Sequence, residues 1–321
     1  MDFLANYFGS LNPMSFLSAL PGNIAQGIIW GLMGLGVFLT FKLLNFADLS
    51  VDGSFATGGA VTAVMLINGC PVWATIIVAI LAGLAAGLVT GLLHTLLGIP
   101  DILAGILTQI ALYSINLNIM GKSNLPISYR NYTLVVSASN INMAILVALG
   151  ICAVVIAAMY WYFGTEQGST IRSTGSNPAM SKAQGININF TKVIALALSN
   201  GLVALSGSLF AQYQGFADIN MGRGAIVIGL AAVIIGEVLG EAIFRKHMNF
   251  IIRMLFVIVG GILYYIAMGI VLWLKMPTDD TKLFTAIIVA IFLAVPYLQK
   301  KRKTSFKKVA KMNAKNAQKE G

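Results

Sequence analysis

The sequence predicts an all-α polytopic membrane protein of about nine transmembrane helices, within a range of about eight to ten. It places the N-terminus outside and the C-terminus in the cytoplasm. Three observations carry this. Of 321 residues, 58% are hydrophobic and only 10% charged, and the mean hydropathy is +0.84. A soluble domain has no way to hide that much apolar surface. Several runs of about twenty residues carry no charge, the length a helix needs to cross hydrocarbon; a membrane β-barrel would show short alternating segments instead. Lys and Arg are also unevenly placed: with the basic tail inside, sixteen fall on the cytoplasmic side and five outside, as the positive-inside rule requires.

Residues 1–21 read as an interfacial lead-in with Phe3, Tyr7, Phe8 and Phe16. They lack the basic region of a signal peptide, since no Lys or Arg precedes Lys42. The membrane block covers 22–299. Its first span runs from about Gly22 to Phe41 and the second, short and rich in Gly and Ala, from about Gly53 to Gly69. The third runs from about Val72 to Leu97, where Gly83, Gly87 and Gly91 form a flat strip for a close helix neighbour. The fourth covers about Ile102 to Met120 and the fifth about Ile141 to Phe163. After a polar interval, the sixth covers about Val193 to Tyr213 and the seventh about Gly224 to Leu239. The eighth covers about Phe250 to Leu274 and the ninth about Leu283 to Leu298. The second and seventh are short enough to be discontinuous. Residues 300–321 hold nine of the 21 Lys and Arg, a basic cytoplasmic tail suited to anionic lipid. It brings no folded module or aromatic platform for nucleic acid. Cys70 and Cys152 sit in or beside apolar runs as small packing residues.

The polar interval 165–192 contains a helix readable letter by letter. Asn177 is an N-cap, Pro178 occupies the first helical position, Ala179 to Gln184 follow, and Gly185 supplies the left-handed stop. On local sequence it is either a solvated loop or a docking element for something in water.

Asp48, Ser50, Asp52 and Ser54 lie between the first two spans. Asp48 and Asp52 are four apart, on one face if helical. A carboxylate near hydrocarbon marks a pathway, a pair or a cavity; the alternative is that Ser50 or Asp52 caps the second helix. In the fourth span Gln109, Tyr113 and Asn116 form a polar stripe, and in the sixth Ser199, Ser206 and Tyr213 recur at sevenfold spacing beside Asn200. Such stripes either line a path or bond helix to helix. Glu237 and Glu241 are placed to pair with Arg245 or Lys246, and His94, with no metal-ligand partners, reads as structural. Gly121-Lys122-Ser123 imitates the end of a phosphate loop, but position 116 is Asn where that motif needs Gly. No catalytic or metal constellation has credible spacing, so neither an enzymatic role nor a bound cofactor is expected.

These residues resemble the permease subunit of an ABC importer of the branched-chain amino acid and ribose type. The resemblance rests on Asn45-Phe46-Ala47 and Asp48-Leu49-Ser50-Val51, and on the loop from Arg172 through Gly175 and Asn177 to Ala183, Gly185 and Ile186. It continues from Ala197 to Glu237 and covers about residues 25–300. It is nearest a subgroup assigned to amino acids, including tryptophan or tyrosine. The resemblance implies that Arg172, Gly175, Asn177, Pro178, Ala183 and Gly185 belong to a coupling element docked on separate ATPase subunits, which bind the ATP. It implies an external substrate-binding lipoprotein, a second permease copy, and a multi-pass place in the bacterial plasma membrane. Asp48, Ser50, Asp52, Gln109, Tyr113, Asn116, Ser199, Asn200 and Ser206 are then candidates for the translocation path. An ion-coupled secondary transporter, suggested by Asp48, Asp52 and Glu237, is the competing expectation.

Overall fold

The computed structural model describes residues 13–128, 132–244, 248–275, 283–292 and 294. Phe3, Tyr7, Phe8, Arg130, Arg245, Lys246, Lys282 and the basic tail lie outside them. Among the described residues, seven helices have the length and composition to cross a membrane. They are α1 (Pro13–Leu43), α3 (Val72–Thr95), α4 (Asp101–Met120), α5 (Ile141–Phe163), α8 (Ile188–Gln214), α9 (Ala225–Phe244) and α10 (Phe250–Trp273). Two shorter apolar helices, α2 (Val51–Ile67) and α11 (Leu283–Phe292), accompany them. The polar interval supplies α6 (Glu166–Ser176) and α7 (Pro178–Ala183).

Two details depart from expectation. The first helix begins at Pro13 and runs unbroken through Pro21, so residues 13–21 are helical and continuous with the first span. The chain is also not purely helical. Three-residue strands β1 (Asn124–Pro126) and β2 (Phe216–Asp218) pair antiparallel, with Asn124 opposite Asp218.

The core is built on α1 and α8, each buried along most of its length. Around them α3, α4 and α5 bury one face only, and the packing inverts that of a soluble protein. The inward face of α3 is Thr75, Ala79, Gly83, Ala86, Gly87, Thr90 and Gly91. Its large residues, among them Trp73, Leu81 and Leu92, point outward. Lipid tails are as apolar as Leu, so burying Leu gains little; small residues win by letting backbones touch. A Cβ on Gly83 would strike the Asn200 carbonyl, and one on Gly87 the Leu196 carbonyl; on Gly91 it would sit 2.8 Å from the Val193 Cα. The strip read in the sequence therefore seats α3 on α8. Gly87→Leu is expected to overpack this seam by ~1–3 kcal/mol or more and to lose the monodisperse peak in detergent size-exclusion chromatography. Gly150→Leu, whose added Cβ meets nothing within 4 Å, should keep that peak.

Helix α2 lies parallel to α8. Ser54 bonds Asn200, Gly58 abuts Ala204 and Thr62 bonds Ser208. Asn200 lies in the interior of α8, so α2 starts inside the membrane layer rather than at its surface. The segment after β2 descends to meet that start: Met221 packs at Gly59, and Gly222 packs on the Asp52 carbonyl. Helix α9 then begins at Ala225, beside Asp52. Two helix N-termini thus meet within the membrane layer, joined by irregular backbone of the kind tolerated there only when buried or lining a cavity.

Candidate functional site

The turn into α2 is a closed polar knot. Asn45 adopts φ 55°, a left-handed conformation that Asn tolerates better than most residues, and it turns the chain upward from α1. Asp48 Oδ1 accepts from the Ser50 N–H at 2.9 Å and the Ser50 hydroxyl at 2.5 Å. Its Oδ2 accepts from Asn200 Nδ2 at 2.7 Å. The Ser54 hydroxyl donates to Asn200 Oδ1 at 2.6 Å. Asp48 is 2% exposed, and Ser50, Ser54 and Asn200 are fully enclosed. The structure brings Asp48, Ser50 and Asn200 together as a hydrogen-bonded joint between α2 and α8, closed to solvent.

Asp52 faces elsewhere. The helix starts at Val51, so Asp48 precedes it and the two carboxylates share no helical face. Asp52 Oδ2 accepts from the Gly224 N–H and Oδ1 from the Ile226 N–H, both at 2.9 Å. It caps α9, not its own helix, placing negative charge at a positive helix end.

Asp52 also lines a cavity of about 290 Å³ with Gly53, Ala56, Gln109, Ile110, Tyr113, Asn116, Ile219 and Arg223. The stripe predicted on α4 faces this space. Tyr113 is 44% exposed and Asn116 1%, and neither Oδ1 nor Nδ2 of Asn116 has a hydrogen-bond partner. An unsatisfied buried polar atom costs ~1–3 kcal/mol, and this side chain has both its donor and its acceptor unused. Arg223, exposed at the cavity wall, makes no ion pair among the described residues. By the positive-inside count Arg223 is one of the five outer cations. Its flanking Gly222 and Gly224 were the available signal, because they let the turn descend against α2.

Ser199 and Ser206 lie away from this cavity. Their hydroxyls donate to the α1 carbonyls of Gly36 at 2.8 Å and Ile29 at 2.7 Å. The Tyr213 hydroxyl donates to Gly22 O at 3.3 Å. The sevenfold stripe of α8 is thus its seam with α1.

At the opposite end from β1 and β2, α7 has the features read from the sequence. Asn177 Oδ1 accepts from the Met180 N–H at 3.0 Å, Pro178 opens the helix, and Gly185 has φ +82°. Ala183 is exposed, as is Met180. Helix α6 was not anticipated. Its composition is poor for a helix, and its position depends on packing: a Cβ on Gly168 would strike the Phe163 backbone, and one on Gly175 the Leu43 carbonyl. Arg172 donates to Phe163 O at 3.0 Å, fastening α6 to the end of α5.

Two further groups are structural. His94 Nδ1 lies 2.8 Å from Ile99 O and Nε2 lies 2.9 Å from Lys192 Nζ. The carbonyl requires the proton on Nδ1, leaving Nε2 to accept from the ammonium. Glu237 pairs with Lys42 at 2.8 Å and Arg253 at 3.4 Å. The neighbouring helices α1 and α10 present these cations at the level of Glu237; the expected partners Arg245 and Lys246 lie outside the described residues.

Membrane-length helices with a polar cavity bounded by α2, α4 and the turn at 219–224, and a capped helix at one end, suit a membrane transport subunit. The chain belongs to the family described as branched-chain amino acid transport system permease component, whose sequence profile matches residues 22–296. It is 42% identical over 301 residues to the tyrosine transport system permease protein of Clostridioides difficile (strain R20291), covering 93% of this chain and 99% of that one. It is 27% identical over 261 residues to the D-allose transport system permease protein AlsC of Escherichia coli (strain K12), covering 80% and 77%. Among solved structures, PsaBC from Streptococcus pneumoniae in complex with Fab aligns with TM-score 0.51 at 16% identity, over 91% of this chain and 94% of that one. That likeness is one of fold alone. The chain is an ABC importer permease, a multi-pass protein of the plasma membrane.

Proposed function

We propose that this permease carries an amino acid along the cavity bounded by α2, α4 and the descending turn 219–224. Arg223 carries the reading. Its backbone is level with Asp52 inside the membrane layer, yet the residue is exposed. A guanidinium facing lipid at that depth is costly, so a second copy of the chain covers this face and the two enclose an aqueous path. All nine apolar helices span or line the membrane, with the N-terminus outside and α6–α7 and the basic tail in the cytoplasm. The lipid bilayer meets the outward Leu and Ile residues, and the tail's nine Lys and Arg favour its anionic surface. ATP is bound by separate ATPase subunits, which dock on α7, and an external binding protein supplies the solute. The amino-acid assignment draws on the similarity to the tyrosine system permease. Two of the acids that suggested ion coupling are engaged otherwise: Asp48 in its knot, and Glu237 with Lys42 and Arg253.

The test is ATP-driven uptake of labelled amino acids in proteoliposomes holding the permease, its ATPase and its binding protein. Gly185→Val forces a β-branched residue to φ +82°, at ~1–2 kcal/mol, and distorts the end of α7 without touching the membrane core. Uptake should fall about tenfold or more while the assembled permease is retained, tenfold corresponding to ~1.4 kcal/mol. Undiminished uptake would refute the docking role of α7. Uptake that ignores ATP but collapses with an uncoupler would restore the ion-coupled alternative.

A further inference from the structure

We infer that the cavity is a three-point recognition site for an α-amino acid whose ring side chain ends in a hydroxyl. The inference rests on the amino-acid importer reading and adds which atoms do the choosing. Asp52 and Arg223 carry opposite charges on the same cavity wall, where Gly222 packs on the Asp52 carbonyl and the Gly224 N–H donates to its carboxylate, yet they form no ion pair. The Gly224 and Ile226 amides hold the carboxylate in place, and each carboxylate oxygen keeps a lone pair for the cavity. Two unpaired opposite charges within the membrane layer suit a ligand that brings both complements in fixed geometry. The amino-acid carboxylate takes the fork of Arg223, and its ammonium takes Asp52.

Asn116 sets the far end. It is 1% exposed, lines the cavity, and has both amide atoms without a partner. A side-chain amide that must both donate and accept is completed by a hydroxyl, which does both; a carboxylate only accepts and an ammonium only donates. Gln109 packs against Gly53, next to Asp52, and Asn116 lies two turns further along α4, roughly 10 Å. That separation is of the order spanned by a para-hydroxyphenyl side chain and its α-carbon substituents. The Tyr113 ring, one turn below Asn116, flanks the same space and offers an aromatic contact. A site built to bond a hydroxyl rejects the analogue lacking it, because its own buried groups are then stranded.

The experiment measures binding of radiolabelled L-tyrosine to the full-length permease with its ATPase subunits in lipid nanodiscs, competed by L-phenylalanine and by tyramine. In the unsubstituted protein, tyrosine should bind about tenfold more tightly than phenylalanine. Asn116→Leu should bring tyrosine to the phenylalanine level and leave phenylalanine within about twofold; Asn116→Ala reads the same ratio if Leu is not accommodated. Arg223→Gln should weaken tyrosine and phenylalanine alike and leave tyramine, which has no carboxylate, unchanged. An unaltered tyrosine-to-phenylalanine ratio in the Asn116 variants, or no saturable tyrosine binding at all, overturns the proposal. Uptake in proteoliposomes separates the two levels. Amino-acid uptake with an unaltered ratio sinks only this site, whereas no amino-acid uptake sinks the importer reading beneath it.

Discussion

Asp48→Ala is expected to destabilise the permease by ~1–3 kcal/mol, the cost of stranding buried polar groups that have lost their acceptor. The substitution strands the Ser50 N–H and leaves the Ser50 hydroxyl only Asn200 Oδ1 at 3.2 Å and Asn200 Nδ2 only the Leu196 carbonyl at 3.0 Å, in a region closed to solvent. Ser54 still donates to Asn200 Oδ1, so Asn200 stays half-anchored and α2 loosens from α8 at its start. The thermal unfolding midpoint in detergent should drop, and uptake should fall in parallel with it. Asp48→Asn should be milder, since one amide oxygen still serves Ser50 while its NH₂ group meets that of Asn200. Asp48→Ala with an unchanged midpoint but lost uptake would instead place Asp48 in the solute path. The two carboxylates of this region therefore part company: Asp48 secures a joint, whereas Asp52 secures α9 and still faces a cavity.

That division was out of reach of the sequence, which showed only two acids four residues apart. Whether they share a face depends on where α2 begins, and the Asp48–Ser50 turn places that start at Val51. The spans themselves were legible because hydrocarbon imposes a long apolar run whatever the tertiary context; the fifth was read as Ile141 to Phe163 and α5 occupies those residues. The cap of α7 was legible because Asn177, Pro178 and Gly185 act on their own backbone. The α4 stripe was legible as a face, since Gln109, Tyr113 and Asn116 repeat with the helix. What faced it was not, because Arg223 arrives from more than a hundred residues away on a turn that descends only through Gly222 and Gly224. Helix α6 was hidden for a similar reason. Its glycines read locally as helix breakers, and only the Phe163 and Leu43 backbones show why no side chain fits there.

Gly175→Val is expected to uncouple the permease. Gly175 sits on α6, and a Cβ there would fall on the Leu43 carbonyl and 2.8 Å from the Leu44 Cα. Those residues end the π-helical turn Phe38–Leu43 that closes α1. From Leu44 the chain passes through left-handed Asn45 and through Phe46, whose ring meets His94 edge-on at 5.1 Å. It then reaches the Asp48 knot and the start of α2, where Asp52 lines the cavity. On the coupling reading, a push on α7 reaches the cavity along this backbone, because α6 rests directly on it with no side chain between. Valine wedges the contact apart at ~1–3 kcal/mol, enough to misplace α6 while the membrane core stays seated. ATP hydrolysis by the assembled complex should persist, and solute carried per ATP should fall about tenfold or more, the equivalent of ~1.4 kcal/mol. Ser176→Val, at the exposed neighbouring position, is the control expected to transport normally. Wild-type transport per ATP in Gly175→Val would show that the motion of α7 takes another route, and the α7–α8 connection at residues 184–187 would be the remaining covalent one.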